Sequence, residues 1–312
     1  MTIKDINNLG KTRTPFLFVS DFKAENIEVI PLSELPLYDV EFKIESNYKK
    51  NLHPFSFKTT PIPFSNYQKK FNLVIDKIKS GDTYLLNLTQ PTKIKTNLSL
   101  KEIFNNANAH YKLRYKDKFV CFSPEIFVQI KDNKIHTYPM KGTIDAKVKD
   151  AKSKILSDEK EMAEHIMVVD LLRNDLSIVA KKVRVDRFRY TQTIDAGDKK
   201  LIQVSSHISG DLSEDWHENL GTILNSLLPA GSISGTPKKS TLKIIDDVEN
   251  YERGFFSGVF GIYDGKSFDS GVMIRFVEKT KDGFIYKSGG GITLDSDVNS
   301  EYNELQEKIY LP

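Results

Sequence analysis

The stretch EIFVQIKDNKIHTYPM, residues 125–140, decides how the chain is built. Two apolar runs, Glu125 to Ile130 and Ile135 to Met140, flank Asp132-Asn133, a dipeptide that accepts the left-handed backbone of a tight hairpin turn. Strand character extends from Phe119 to Thr143. Further along, Asp264-Gly265 and Asp282-Gly283 give two more turn signals in a strand-rich last quarter, so that region reads as a β-meander. Strands joined by hairpins belong to antiparallel sheets, not to a doubly wound parallel fold.

Helices punctuate these strands. Tyr67, Phe71, Val74, Ile75 and Ile78 form one apolar stripe. Ser65 and Gln68 are placed to cap its start, and Gly81 ends it. A shorter helix is expected at Leu100 to Asn106, and a long one from about Asp158 to Arg173. Another follows Pro237 and ends near Glu249, and a last one starts near Ser300. Residues 1–60 look strand-like and Pro-punctuated. No internal repeat and no long linker divides the chain. The expectation is an α+β fold, with residues 1–61 a short strand-rich segment of the same domain as a catalytic region at 62–312.

Composition narrows the function classes. The chain has 312 residues, 39% of them hydrophobic and 28% charged, which is ordinary globular usage. A net charge of +3 without long like-charge blocks gives no footprint for nucleic acid. The one cysteine, Cys121, cannot form an internal disulfide, in keeping with a reducing compartment. The N-terminus lacks a signal-peptide core, and no apolar run approaches membrane-span length. A cytoplasmic protein whose partners are small molecules or other proteins is expected, without nucleic acid or membrane.

Four groups of residues carry possible chemistry. A two-residue hairpin at Asp132-Asn133, continued without a bulge, sets Glu125 beside Lys141, an acid beside an amine. A cross-strand salt bridge is the plainer reading. A hairpin at Asp282-Gly283 sets Arg275 opposite Gly290 in the run Gly289-Gly290-Gly291, where bare backbone and a guanidinium could bind an anion. A glycine bulge at a sheet corner is the alternative. Glu161 and Glu164 share one helical face, as do Glu301, Glu304 and Lys308. These are two solvated faces, unless the faces meet around a hard cation.

Taken in order, the motifs resemble the chorismate-binding family, which includes anthranilate, aminodeoxychorismate, isochorismate and salicylate synthases. Ala163 to Asp175 resembles the family signature. Gly81-Asp82-Thr83-Tyr84 through Asn87-Leu88-Thr89, Ser123-Pro124-Glu125, Pro139-Met140-Lys141-Gly142-Thr143 and Pro229 through Lys238 also match. Gly289 to Ile292 and Glu301 through Lys308 complete a resemblance covering roughly residues 62–312. It implies two antiparallel sheets packed as a sandwich, helices outside and the site at one edge. It also implies Mg2+, with Glu164 and Glu304 as direct ligands and Glu161 and Glu301 reaching the ion directly or through water. Arg275, Gly289, Gly290, Gly291 and Lys308 resemble the groups that hold substrate carboxylates, and Thr143, Ser234 and Gly235 go with them as substrate-binding positions.

Within that family, Lys141 discriminates. Anthranilate synthases carry Pro-Ile-Ala-Gly-Thr at this motif, whereas the aminodeoxychorismate synthases carry the lysine as a nucleophile. Glu125 matches the family's general acid. Leu85 stands where water-activating members have lysine and ammonia-using members usually have glutamine, and Gln203 stands where many relatives have histidine. His207 is offset by four residues and is read as a surface or core histidine. The short N-terminal region argues against the tryptophan regulation seen in some larger relatives. The expected activity is Mg2+-dependent conversion of chorismate and ammonia to 4-amino-4-deoxychorismate through a covalent lysine intermediate, towards 4-aminobenzoate and folate. Anthranilate synthase and a non-catalytic chorismate-binding regulator are the alternatives. No nucleophile-elbow context surrounds Cys121, so ammonia is expected from a separate glutamine amidotransferase, and pyruvate release from a separate lyase.

Overall fold

A computed structural model describes residues 2–44, 54–196 and 199–311. Its strands make two sheets, of nine and eight strands among the described residues, interspersed with helices. The α+β class with two antiparallel sheets is therefore as expected. The chain divides into two compact units. Met1–Phe16, Ile126–Leu228 and Gly261–Ser270 form the first, and Leu17–Glu125, Pro229–Phe260 and Gly271–Pro312 the second.

In the first unit the opening hairpin forms. Strands Ile126–Lys131 and Lys134–Thr137 pair through Lys131 with Lys134, Ile130 with Ile135 and Gln129 with His136. Asp132 and Asn133 both take positive φ, 52° and 56°, the conformation that a two-residue turn demands. The long strand Lys199–Asp211 pairs with Lys181–Ala196, and also with Lys134–Thr137 and then Met140–Asp145. Val204, Ile208, Ile130 and Ile135 are buried in this sheet. The helix Glu159–Ser177 is capped by the Asp158 carboxylate, which accepts from the Glu161 N–H at 2.9 Å.

The strand-like reading of residues 1–60 holds at Phe16–Ser20, Ile27–Pro31, Val40–Ile44 and Phe57–Thr60, and one α-helix departs from it. Ile3–Lys11 is helical, with a capping box between Thr2 and Asp5. Its asparagines and glycine argue locally against a helix. Tertiary packing overrides them: Ile6 and Gly10 are buried, and Asn7 Oδ1 accepts the Gly221 N–H at 2.7 Å. A Cβ on Gly10 would lie 1.8 Å from the His217 carbonyl oxygen, so only glycine allows that approach.

The second unit is organised by the strand Leu85–Thr96. It pairs with Gly283–Ile292, whose other neighbour is Phe276–Thr280, followed by Phe119–Ser123, Tyr111–Tyr115 and Val40–Ile44. One face buries Ile94, Val120, Phe122, Val277 and Tyr286 with Ile103 and Phe104 of the helix Leu100–Asn106. The helix Phe64–Lys79 buries Tyr67, Phe71, Val74 and Ile78, as its stripe predicts. Its start differs from expectation. Pro63 is the cap, and no Ser65 capping box forms, because the helix begins two residues earlier, where Phe64 packs edge-on against Tyr302 at 5.2 Å.

Two register predictions are corrected. The pairing of the strands Ile126–Lys131 and Lys134–Thr137 is shown as far as Gln129 and His136, and Lys141 belongs to Met140–Asp145, whose partners lie on Lys199–Asp211. The hairpin ladder therefore does not set Lys141 opposite Glu125. The second correction is the turn before Gly283–Ile292. Thr280 pairs with Gly283, so Lys281 and Asp282 are the central residues, and Gly283 follows at φ 121°. That shifts the register by two: Phe276 faces Lys287, and Gly290 faces Leu88 rather than Arg275.

Candidate functional site

In the first unit, Lys141, Thr143, Glu161 and Glu164 come from the strand Met140–Asp145 and the helix Glu159–Ser177. Lys141 Nζ lies 2.6 Å from Glu164 Oε2, and Lys160 Nζ is 3.9 Å from the other oxygen of the same carboxylate. Glu161 is near by. A Cβ built on Gly142 would meet Glu161 Oε2 at 3.1 Å, and Gly142 itself has φ 96°. Thr143 is exposed and pairs with Gln203. His165 is fully buried, and burial holds its imidazole below the usual range, hence neutral near pH 7. His207 is half-buried on the sheet, 3.0 Å from the His136 ring and stacked on Tyr138.

In the second unit the glycine run lies on Gly283–Ile292. Gly289, Gly290 and Gly291 face Thr89, Leu88 and Asn87. Three side chains of the helix Val298–Glu307 and its C-cap converge over the middle glycine. A Cβ at Gly290 would lie 3.3 Å from Glu301 Oε2, 3.7 Å from Lys308 Nζ and 3.9 Å from Glu304 Oε1. Lys308 pairs with Glu304 at 2.6 Å and donates to the Gly289 carbonyl at 2.8 Å. Glu301 accepts from the Ser296 hydroxyl at 2.8 Å. Arg275 donates to the Lys308 carbonyl at 3.1 Å and lies over the Tyr310 ring. Leu85 is buried, its Cδ1 3.2 Å from where a Gly291 Cβ would be.

Glu125 Oε1 accepts from the Ser232 hydroxyl at 2.5 Å. Burial pushes this carboxyl above the usual range; the Ser232 hydrogen bond and the charges of Lys308 and Arg275 pull the other way and lose. A carboxyl so placed tends to keep its proton, as a general acid must. Ser234 and Gly235 have internal explanations. Ser234 is buried and donates to the Ala230 carbonyl at 2.9 Å, and a Cβ on Gly235 would lie 2.0 Å from the Leu85 carbonyl oxygen.

Sequence reasoning missed four residues, two of them a pair. Ser232 lies within a matched segment, but nothing in spacing points its hydroxyl at Glu125. His165 holds the Lys141 backbone, 3.2 Å from its carbonyl. The other two form a buried ion pair, Glu249 with Arg253, at 2.6 Å. Arg253 donates to the carbonyls of Asn87 and Ile233, and Glu249 accepts the Thr89 N–H and hydroxyl. Leu85–Thr96 pairs with Gly235–Thr236 through Leu86 and Leu85, and with Phe57–Thr60 from Lys93 onward. Between those two ladders, these side chains satisfy backbone groups that a strand would otherwise take. The pair therefore fixes the strand on which the glycine run is registered.

A metal can be tested against the donors present. Among the described residues, no three His, Cys, Asp or Glu side chains stand close enough together to hold an ion as they are. The donors themselves, however, are all carboxylate oxygens, the kind a hard cation takes. In each unit one carboxylate pairs with a lysine ammonium, Glu164 with Lys141 and Glu304 with Lys308. The residues fit a divalent cation in kind.

No helix among the described residues is long and apolar enough to cross a membrane. An uncharacterized PabA-like protein from Haemophilus influenzae is 48% identical over 99% of this chain and 96% of its own. Aminodeoxychorismate synthase component 1 of Bacillus subtilis is 27% identical, over 93% of this chain and 62% of that protein. The crystal structure of anthranilate synthase component I from Streptococcus pneumoniae aligns with a TM-score of 0.70 at 26% identity, over 83% of this chain and 60% of that one. Residues 22–311 match the chorismate binding enzyme family, and the chain belongs to that family.

Proposed function

We propose that this chain aminates chorismate at C4, using ammonia to form 4-amino-4-deoxychorismate. The observation that carries the reading is Lys141. Its amine is on a strand beside the Glu161/Glu164 face, where an anthranilate-type motif would have only a methyl group. As a free amine, Lys141 adds at ring C2. The ring electrons shift, the C4–O bond breaks, and the hydroxyl leaves as water with the proton of Glu125. Ammonia then adds at C4, the electrons return, the C2–N bond to Lys141 breaks, and the ammonium formed at C4 gives one proton back to Glu125. One ammonia enters and one water leaves. Two displacements retain the configuration that one would invert.

Chorismate is a dianion, and the four glutamates alone would repel it. Mg2+ held by Glu161, Glu164, Glu301 and Glu304 would reverse that sign and polarise the ring. Lys308, Arg275 and the backbone at Gly290 would bind carboxylate, with Thr143 beside Lys141 on its strand. A separate glutamine amidotransferase would supply the ammonia, and a separate lyase would release pyruvate from the product. The test uses purified chain, chorismate, Mg2+ and ammonium chloride, with the 2-amino and 4-amino isomers separated by chromatography and mass spectrometry. The 4-amino isomer is expected, and none in excess chelator. The 2-amino isomer alone would make the chain an anthranilate-type enzyme. Absence of any turnover would leave a chorismate-binding regulator.

A further inference from the structure

Lys141 lies where its sheet ladder is broken. Met140 pairs with Ser205 and Thr143 with Gln203, so Lys141 and Gly142 together oppose the single residue Val204. Such a bulge bends its strand and re-aims side chains. The helix Glu159–Ser177 supplies a side-chain partner for the Lys141 carbonyl. His165 Nδ1 is 3.2 Å from that oxygen, and its Nε2 is 2.7 Å from Ser206 Oγ. The Ser206 oxygen in turn accepts the Arg189 N–H at 3.0 Å.

Donor and acceptor types order these hydrogen bonds. A carbonyl only accepts, so His165 Nδ1 carries the hydrogen. In the Nδ1–H tautomer Nε2 accepts from the Ser206 hydroxyl, whose oxygen takes the Arg189 N–H. Donation runs in one direction from Arg189 to Lys141. Both His165 and Ser206 are fully buried. Arg189 is anchored independently, its guanidinium donating to the Ile155 and Leu156 carbonyls at 2.9 and 2.8 Å. The bulge is thus tied through two buried side chains to the end of the helix Ala151–Ser157.

We propose that His165 is a positioning residue for Lys141: its Nδ1–H, held in one tautomer by Ser206, fixes the bulge that aims the lysine amine at Glu164. The proposal rests on the reading of Lys141 as the nucleophile only for its effect on product, not for its geometry. His165 need not touch substrate, and it acts through the backbone it holds.

Two amide substitutions separate the two ring nitrogens. Asparagine places its NH2 near Nδ1, and glutamine places it near Nε2. His165→Asn can keep the bond to Lys141 and lose Ser206; His165→Gln can keep Ser206 and lose Lys141. The first readout needs no substrate: the acylation rate of Lys141 by an amine-reactive reagent, followed by peptide mass spectrometry, with exposed Lys101 as internal reference. In His165→Gln the lysine should leave Glu164 and react about fivefold faster, while His165→Asn stays within about twofold of the parent. An unchanged rate in folded His165→Gln overturns the proposal. If that variant does not fold, Ser206→Ala should raise the rate in the same direction by a smaller factor, and no rise there also overturns it. The second readout is the ratio of 4-amino to 2-amino isomer from chorismate and ammonium, expected to fall in His165→Gln. Faster labelling with an unchanged ratio leaves the positioning intact and removes Lys141 as nucleophile.

Discussion

Two ion pairs, one from each unit, hold their charges in opposite ways. In the second, Glu249 and Arg253 have side chains only 1% and 2% exposed, and hydrogen bonds to Asn87, Thr89 and Ile233 satisfy them. In the first, Lys141 and Glu164 pair at a similar distance, but the lysine side chain is 30% exposed. A buried ion pair is costly to open, because the surviving charge stays in a poor dielectric. A partly hydrated pair opens cheaply, because water takes over. The first arrangement suits a frame. The second suits a group that must leave its partner, whether the lysine to attack or the carboxylate to meet a cation.

The comparison breaks most visibly at Lys141. Lys141→Ala should lower 4-amino product by at least about a thousandfold, since a positioned nucleophile supplies several kcal/mol through proximity. Its unfolding free energy should change by only about 1 kcal/mol, because the lysine is part-exposed and Lys160 Nζ, 3.9 Å from the other oxygen, stays beside the buried Glu164 carboxylate. Rate of 4-amination and urea denaturation, measured on one preparation, check both halves. A 4-amino rate near the parent's would remove Lys141 as nucleophile. Arg253→Met should invert the pattern. Leaving Glu249 buried without its guanidinium should cost about 3–5 kcal/mol of stability. A denaturation midpoint close to the parent's would show that the buried pair is no frame.

The same contrast explains what could be read in advance. The hairpin at Asp132-Asn133, the stripe of Phe64–Lys79 and the helix Leu100–Asn106 are local patterns, and each was legible. Helical spacing also placed Glu301, Glu304 and Lys308 on one face, and they do converge. Registers failed at the turn, whose central residues are Lys281-Asp282, and at Glu125 with Lys141, because Lys141 lies on a strand that pairs with Lys199–Asp211. The N-terminal helix failed because its stability comes from packing near His217 and Gly221, not from its own residues. Ser232, His165 and the Glu249–Arg253 pair act on atoms more than 20 residues away in sequence, or on backbone groups. No spacing rule reaches those contacts. The roles of Lys141 and Glu125 came from resemblance, since the hairpin that was to bring them together does not extend that far.

Adjacent glycines sharpen the comparison at intermediate size. A Cβ at Gly289 would lie 2.5 Å from Thr89 Cγ2 and 2.6 Å from the Leu88 carbonyl oxygen, inside the framed strand. Gly289→Ala should therefore destabilise the fold by about 1–3 kcal/mol through overpacking. A Cβ at Gly290 meets nothing closer than the Glu301 carboxylate at 3.3 Å. Gly290→Ala should fold nearly as the parent does but raise KM for chorismate about tenfold with little change in kcat, the signature of lost ground-state binding. Equal losses of stability in both would show that Gly290 belongs to the frame and not to the anion site.

The smallest effect concerns the proton on Glu125. Burial raises this carboxyl, so the folded protein retains a proton that an unfolded chain would release. The stability this contributes is complete below the ordinary carboxylate range and is lost as pH rises through the raised value. Activity that needs the acid form should fall in the same direction, giving a basic limb to the pH–rate profile at fixed free ammonia. The Ser232 hydroxyl donates to the carboxylate and so favours ionisation, opposing burial. Ser232→Ala removes that opposition. Its basic limb should move to higher pH by less than about one unit, the size of a single neutral hydrogen bond's preference for the charged form. Movement to lower pH would mean that Ser232 stabilises the protonated acid instead. A limb that stays in place after the change would show that it belongs to a group other than Glu125.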